Sequence, residues 1–290
     1  MFRNMVNMTK IDFSKFDSSQ LKDMAFMFYD SNNLEYINFT NIKTSSVENM
    51  RNLFAGCSKL SSLDLSHFDT SSVADISSMF SECSSLQSLD LSNFNTKKIL
   101  NMNSVFNGCS NLTSINIISF DISSVTSISY MFKNCFKITS INLSNFNTSN
   151  IKTMESLFYN CSLLTSLELS NFNTFQVEKM NNMFAGCNNL EYLDLSNFNT
   201  SKVNSLEGMF RSCINLISLN ISNFDTSSVS SMKFMFADCK KLTSVDVEKF
   251  DTSKVTDMGY MFDKCIELVS LNLSNFNTTS LKSTIYMFNE

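Results

Sequence analysis

The sequence predicts an α/β solenoid in which each coil of 26 residues contributes one short parallel strand and one short helix. Three observations lead to this prediction. All nine cysteines, from Cys57 to Cys265, lie 26 residues from the next. Each unit opens with leucines that alternate with polar residues, and it continues with apolar residues at spacings of three and four. A fixed period of this length is typical of stacked repeats, and the chain holds about eleven of them.

The repeat is clearest from Leu190 to Asn215, which reads LEYLDLSNFNTSKVNSLEGMFRSCIN. We number the positions of every coil from the residue equivalent to Leu190 and name each coil by that first residue. The pattern is L-x-x-L-x-L-S-x-F-x-T-S-x-V-x-x-M-x-x-M-F-x-x-C, followed by two further residues. The first residues of the coils are Met8, Leu34, Leu60, Leu86, Leu112, Ile138, Leu164, Leu190, Leu216, Leu242 and Leu268.

The strand comes first in each coil. Leucines at positions 4 and 6 enclose a polar residue, as in Leu63-Asp64-Leu65, and strict alternation predicts a strand with one buried face. A single coil has too little apolar surface to fold alone, so the coils are expected to stack. Stacking would pair the strands about 4.8 Å apart and bury both faces of every interior layer.

The helix is predicted after the strand. The apolar residues Val229, Met232, Met235 and Phe236 have spacings of three, three and one, which place them on one face of a helix, and the preceding Thr-Ser pair supplies an N-cap. Proline is absent and only five glycines occur, so Asn, Asp and Ser are expected to form the turns. The Asn and Asp residues at position 10 are expected to hydrogen-bond the turn after the strand.

The phenylalanines, methionines and cysteines are predicted to form the core. Zinc ligands have clustered spacings such as C-x-x-C, whereas an even spacing of 26 places the sulfurs along a line. Nine is an odd number, and parallel side chains in a packed column lie alongside one another, which argues against disulfides between coils. We therefore expect free, buried thiols that pack as small apolar side chains.

The chain shows no residue set that resembles a catalytic centre. The single histidine, His67, occupies position 8, where seven other coils carry asparagine, so we interpret it as a surface substitution. Carboxylates recur at positions 5 and 10, but they alternate with asparagine there, which favours solvated or ladder roles over a general acid and base. We predict no enzyme, no cofactor and no metal site.

Composition excludes two classes of partner. A net charge of −5 argues against nucleic acid, whose binding proteins carry a basic surface. No run of about 18 apolar residues could span a membrane. The unbroken period predicts one continuous solenoid over residues 1–290. Met1 and Phe2, like Met287 and Phe288, sit at the M-F positions, so we interpret the chain as a segment of a longer protein, with any signal peptide or lipoprotein anchor outside it.

The outward face of the strands is the predicted binding surface. Its positions 2, 3, 5 and 7 carry mostly Ser, Thr and Asn. Specific recognition of a partner therefore requires the residues that differ from this repeated set of small polar side chains. We expect a partner to bind between Ser140 and Asp246, with Tyr192 as the aromatic anchor in a rim of carboxylates. The candidate ligand-binding residues are Glu168, Glu191, Tyr192, Asp194 and Asp246.

The complete unit, from L-x-x-L-x-L-S-x-F-x-T to MF-x-x-C, resembles the 26-residue repeat of the BspA-like leucine-rich-repeat surface proteins of bacteria. This resemblance covers nearly the whole chain. It implies a surface-exposed or secreted bacterial protein for adhesion or protein–protein binding, with a protein or glycan partner on a host or neighbouring cell. The alternatives are a structural spacer or stalk that presents another domain and, behind it, a carbohydrate-active enzyme or an ice-binding face.

Overall fold

A computed structural model describes residues 2–289 of the chain. Met1 and Glu290, on which part of the segment prediction rests, lie outside the described residues. The chain forms two compact units, Met1–Asn147 and Thr148–Glu290, and we describe each by itself. Within each unit, backbone hydrogen bonds join successive coils, as from Met50 to Asp75 in the first unit and from Met232 to Asp257 in the second. The two units are therefore built on the same principle of stacked 26-residue coils.

Short parallel strands form one side of the coils, as predicted. Leu89 pairs with Ile115, and every strand pair has this register of 26 residues. The pairs are β1 with β2 and β3 with β4 in the first unit, and β5 with β6 in the second. The strands are β1 (Lys10–Asp12), β2 (Tyr36–Asn38), β3 (Ser88–Asp90), β4 (Ser114–Asn116), β5 (Tyr192–Asp194) and β6 (Ser218–Asn220).

The predicted helix is wrong, because residues 2–289 contain no helix. In the Leu34 coil, Met50, Asn52 and Phe54 each donate the backbone N–H to a carbonyl of the next coil at 2.9 Å. The intervening Leu53 and Ala55 donate to the carbonyl three residues back. An α-helix would keep all of these bonds within its own turns. The fold class is therefore a solenoid of strands and turns, without the helical layer of an α/β protein.

Backbone conformation and coil spacing explain this difference. Positions 19 and 23 lie in the left-handed region, as in Asn52 (φ 53°) and Gly56 (φ 80°), so the chain changes direction twice where a helix would continue. The rings of Phe54 and Phe80 stack with centroids 5.7 Å apart, which is about half of the roughly 10 Å diameter of an α-helix. Helices on successive coils would not fit at that spacing.

Side-chain oxygens hold three corners in the coils. In the Leu60 coil, Asp64, Asp69 and Asp75 at positions 5, 10 and 16 each accept the backbone N–H two residues later, at 2.9, 2.9 and 2.7 Å. These are Asx turns, which Asn forms equally well. In the Leu34 coil, Asn38 accepts the N–H of Thr40 at 3.0 Å. The predicted turn-forming role of position 10 is confirmed, and positions 5 and 16 share it.

The threonine at position 11 is buried and joins neighbouring coils instead of capping a helix. Thr174 Oγ1 donates to the Asn199 carbonyl at 2.9 Å and accepts the Asn199 N–H at 2.7 Å. We call this pair of bonds the threonine clasp. It holds position 10 of one coil to position 11 of the coil before it. The same two bonds are made by Thr44, Thr70, Thr96, Thr148 and Thr252.

Columns of identical side chains fill the core, as predicted. The position-21 rings stack in both units, with centroids 5.5–5.7 Å apart from Phe28 to Phe132 and 5.3–5.9 Å apart from Phe158 to Phe288. The rings from Phe28 to Phe262 are buried, as are the methionines from Met24 to Met261 at positions 17 and 20. Each interior coil therefore packs its apolar side chains against those of its neighbours.

All nine cysteines are free thiols, and eight are buried; Cys265 is half-buried. The thiol of Cys187 donates to the Phe158 carbonyl of the preceding coil at 3.3 Å, and Cys57 and Cys213 donate in the same way at 3.2 Å. Burial raises the pKa of Cys213 to about 12. Ser31 occupies the same position in the Met8 coil and donates to the Phe2 carbonyl at 2.8 Å. The predicted buried column is confirmed, and its sulfurs also act as hydrogen-bond donors.

Candidate functional site

The strand face consists of the outward side chains at positions 2, 3 and 5. In β5, Leu193 is buried, whereas Tyr192 and Asp194 on either side of it are exposed. Two tyrosines protrude from this face at position 3, Tyr36 with 53% of its surface exposed and Tyr192 with 64%. Both stand on paired strands, so their backbones are held by the sheet.

The structure brings together four of the five predicted site residues. Glu191, Tyr192 and Asp194 lie in one coil at positions 2, 3 and 5, all exposed. Glu168 lies at position 5 of the preceding coil, where the negative charge of Asp194 acts on it. Asp246 lies two coils after Asp194, and Asn220 occupies position 5 in the coil between them. Asp246 therefore belongs to another part of the face. The compact group is therefore Glu168, Glu191, Tyr192 and Asp194, which we call the Tyr192 patch.

The position-5 carboxylates also hold the first corner of their coils. Glu168, Asp194 and Asp246 accept the backbone N–H groups of Ser170, Ser196 and Glu248 at 3.0, 2.9 and 3.1 Å. Hydrogen bonds from the side chain and backbone of Ser170 lower the pKa of Glu168. The corresponding bonds from Ser196 lower the pKa of Asp194. Both groups are therefore ionised at neutral pH, and both combine a turn-forming bond with a surface charge.

Tyr36 was missed in the sequence analysis. It follows Glu35 in the triplet Leu-Glu-Tyr, which is the same triplet that precedes Leu193 in the Leu190 coil. The matching triplet was a usable signal, because both tyrosines interrupt a position that otherwise carries small polar side chains in most coils. The strand face thus has one Glu-Tyr pair in each compact unit.

A cleft lies beside Tyr36. β2 pairs with β1 on one side, but the Leu60 coil contributes no strand on the other side. A cavity of about 400 Å³ opens there, and residues of the Leu34, Leu60 and Leu86 coils line it. By contrast, β5 continues into β6. The cavity is lined by Tyr36, Ile37, Asn38, Phe39, Thr40, Ser62, Leu63, Asp64, His67, Ser88 and Asp90.

His67 lies at the rim of this cleft and is exposed, as expected for a surface residue. Its proximity to Asp64 adds to the lowering of the Asp64 pKa, which comes first from the backbone and side-chain hydrogen bonds of Ser66. The arrangement provides hydrogen-bond donors and acceptors around an aromatic ring. Such a lining is suited to non-covalent binding of a polar ligand.

Residues 2–289 lack two features, a metal-ligand cluster and a membrane-spanning helix. No group of three or more His, Cys, Asp or Glu side chains in this range is arranged to hold a metal ion. The same range has no helix of the length and apolar character needed to cross a membrane.

Several solved structures are similar to the chain. A leucine-rich-repeat protein of T. pallidum is 21% identical, with a TM-score of 0.44 over 61% of this chain and 75% of that one. A leucine-rich cell surface protein of Faecalibacterium prausnitzii is 15% identical, with a TM-score of 0.37 over 90% and 81%. A leucine-rich-repeat protein of Bacteroides ovatus is 18% identical, with a TM-score of 0.39 over 88% and 73%. A comparison with curated proteins gives no match.

One family model matches the sequence along its whole length. It matches three times, over residues 1–90, 83–193 and 179–290, as expected for a chain made of repeats. The chain belongs to the family described as "Mycoplasma protein of unknown function, DUF285".

Proposed function

We propose that the chain is a non-catalytic binding solenoid of a bacterial cell surface, which attaches to a protein partner through its strand face. The observation that carries this proposal is the Tyr192 patch, an exposed aromatic ring on a paired strand with three carboxylates around it. The resemblance to the BspA-like surface proteins supports adhesion as the biological role.

The Tyr192 patch has the composition of a binding hot spot. A tyrosine offers a large contact area at low cost in side-chain entropy, and its hydroxyl provides a polar contact. Tyr192 stands on β5, whose pairing with β6 fixes its backbone before a partner arrives. This preorganisation favours affinity, because little further ordering is required on binding.

The charges indicate the chemistry of the partner. Glu168, Glu191 and Asp194 give the patch a negative rim, and the hydrogen bonds described above keep Glu168 and Asp194 ionised at neutral pH. We therefore expect a protein partner with Lys or Arg side chains around an apolar or aromatic contact. Rim charges of this kind mainly increase the association rate and the specificity.

The test is to replace Tyr192 by Ala and to measure binding to immobilised, deglycosylated matrix proteins. Truncation of a central tyrosine is expected to weaken binding at least about tenfold. Charge is tested separately with Asp194→Asn, because Asn220 forms the same corner by accepting the Ser222 N–H at 3.2 Å. That variant should keep its stability while binding becomes slower and less sensitive to salt.

Tyr36→Ala is the matched control, because it removes a tyrosine from the same Leu-Glu-Tyr context in the other compact unit. Its binding to these proteins should equal that of the unmodified chain. Unchanged binding by Tyr192→Ala, combined with loss of binding when any two coils are deleted, would reject the local patch and favour a spacer or a surface of many weak, equivalent contacts.

A further inference from the structure

We propose that the cleft beside Tyr36, which the Leu34, Leu60 and Leu86 coils line, binds a saccharide, namely a neutral pyranose unit of a glycan. This site lies on the first compact unit and uses none of the residues of the Tyr192 patch. It is therefore independent of the proposed protein-binding function.

The cleft exists because the strand ladder is interrupted. In the neighbouring pair of strands, the Leu91 N–H donates to the Asn116 carbonyl at 2.9 Å at the end of the β3–β4 ladder. No equivalent bond from Phe39 to the Asp64 carbonyl is formed in the part of the chain that the structure describes. The cavity of about 400 Å³ at this place falls within the range of roughly 300–1,000 Å³ that is usual for small-ligand sites.

An aromatic ring lies beside polar groups in this cavity. Tyr36 exposes 53% of its surface and offers a ring against which the C–H face of a pyranose can pack. Ser62 and Ser88 supply short hydroxyl groups, which can both donate and accept hydrogen bonds. A polyhydroxylated ring requires this combination of one apolar contact and several polar contacts of both kinds.

Asp64 is the principal acceptor for sugar hydroxyl groups. Its Oδ1 accepts the Ser66 N–H at 2.9 Å. A carboxylate has about four acceptor sites, so capacity remains for ligand hydroxyls after this turn-forming bond. Hydrogen bonds to a charged acceptor are roughly twice as strong as those between neutral groups. Asp64 thus has two roles: it holds the turn at the corner of its own coil and accepts hydrogen bonds from the ligand.

The charge of the lining excludes other ligand classes. Asp64 and Asp90 both contribute carboxylates, and neither Lys nor Arg lines the cavity. Phosphate, nucleotides and acidic sugars would be repelled by two negative charges without a compensating cation. The mainly polar lining also disfavours a purely apolar ligand. A neutral sugar is the ligand class that remains compatible with all of these groups.

A second cavity suggests that more than one sugar unit can be accommodated. It has a volume of about 460 Å³ and lies beside the first, at positions 26 and 2 of neighbouring coils. Its lining is also polar and consists of Glu35, Lys59, Ser61, Ser85, Gln87 and Asn111. A glycan chain placed along the Leu60 coil would contact both cavities.

The experiment is a titration of the full chain that is monitored by ligand-observed NMR. The sugars are glucose, galactose, mannose, N-acetylglucosamine and sialic acid. We expect saturable binding of at least one neutral sugar and weaker binding of sialic acid. Tyr36→Ala should lower the affinity at least about tenfold, whereas Tyr36→Phe should keep most of it because the ring remains. Asp64→Asn should also weaken binding, while its corner persists as it does at Asn38.

Tyr192→Ala is the matched control and should bind the sugars as the unmodified chain does. The proposal is overturned if none of the neutral sugars binds, if sialic acid binds best, or if Tyr192→Ala loses as much affinity as Tyr36→Ala. Because the probes are free sugars and the protein-binding test uses deglycosylated proteins, each proposal can fail without the other.

Discussion

The threonine clasp provides the sharpest test of how the coils are held together. Thr174 is 1% exposed, and its hydroxyl both donates to and accepts from the backbone of Asn199. Thr174→Val keeps nearly the same shape and removes only these two bonds. An unpaired buried backbone group costs about 1–3 kcal/mol. The Asn199 side chain is exposed, so water replaces part of the lost pairing, and we expect a loss of about 2–3 kcal/mol for the two groups together.

Two further variants separate the hydroxyl from packing. Thr174→Ser keeps the hydroxyl and loses one methyl group, which should cost only about 1 kcal/mol. Ser18 already plays part of this role in the Met8 coil, where its Oγ accepts the Lys43 N–H at 2.6 Å. Thr243→Val changes an exposed threonine of the strand face in the same unit and should alter stability by less than about 0.5 kcal/mol.

The assay is urea unfolding followed by circular dichroism, with the free energy taken from the midpoint and slope. If the clasp holds the coils together, the loss of unfolding free energy is largest for Thr174→Val, smaller for Thr174→Ser and smallest for Thr243→Val. If Thr174→Ser were more destabilising than Thr174→Val, packing of the methyl group would dominate and the hydroxyl would have no special role. Equal stability of Thr174→Val and Thr243→Val would refute the reasoning altogether.

Two other predictions concern the corners and the thiols. Ser104 has φ 59°, so Ser104→Gly should stabilise the protein by up to about 1 kcal/mol, whereas the same change inside a helix would destabilise it; thermal melting gives the sign. Gly208→Ala should destabilise the protein, because Gly208 has φ 61° and a residue with a Cβ is strained in that conformation. Burial raises the pKa of Cys57 and Cys265 from 9.0 to about 12, so unfolded thiols lose protons first as the pH rises. The contribution of these thiols to the free energy of unfolding should therefore be constant below pH 9 and fall between pH 9 and 12, by up to about 1.4 kcal/mol per thiol and pH unit. A thiol reagent should react with nine sites in denatured protein and first with Cys265 in native protein.

The apolar pattern predicted the core correctly but not the backbone. Val229, Met232, Met235 and Phe236 are all buried, because spacings of three and four place side chains on one face of any tightly turned chain. The same pattern carries no information on where the N–H groups point. In this chain alternate N–H groups bond the next coil. The left-handed positions hold residues such as Ser104 and Tyr260 as well as glycine, so the residue types did not indicate where φ is positive.

The candidate site was predicted in part for a similar reason. Tyr192 and its neighbours could be found because they interrupt a uniform field of small polar side chains. The cleft beside Tyr36 could not, since LSSLDLSHFDT in the Leu60 coil follows the repeat closely and only His67 departs from it. Loss of strand pairing depends on how successive coils pack, and a pattern within one coil does not encode that.

The corners limit which residues can carry specificity. Positions 5, 10 and 16 provide a side-chain oxygen for the turn in most coils, with Lys43 and Lys179 as exceptions, and positions 4, 6, 9 and 21 face the core. At position 5 the choice between Asp and Asn changes the charge without changing the corner, as Asp194 and Asn220 illustrate. Positions 2 and 3 neither provide a turn-forming oxygen nor face the core. The pairs Glu35-Tyr36 and Glu191-Tyr192 lie at these two positions. A repeat protein of this design can therefore change its ligand by substitutions at two positions per coil while its stacking remains intact.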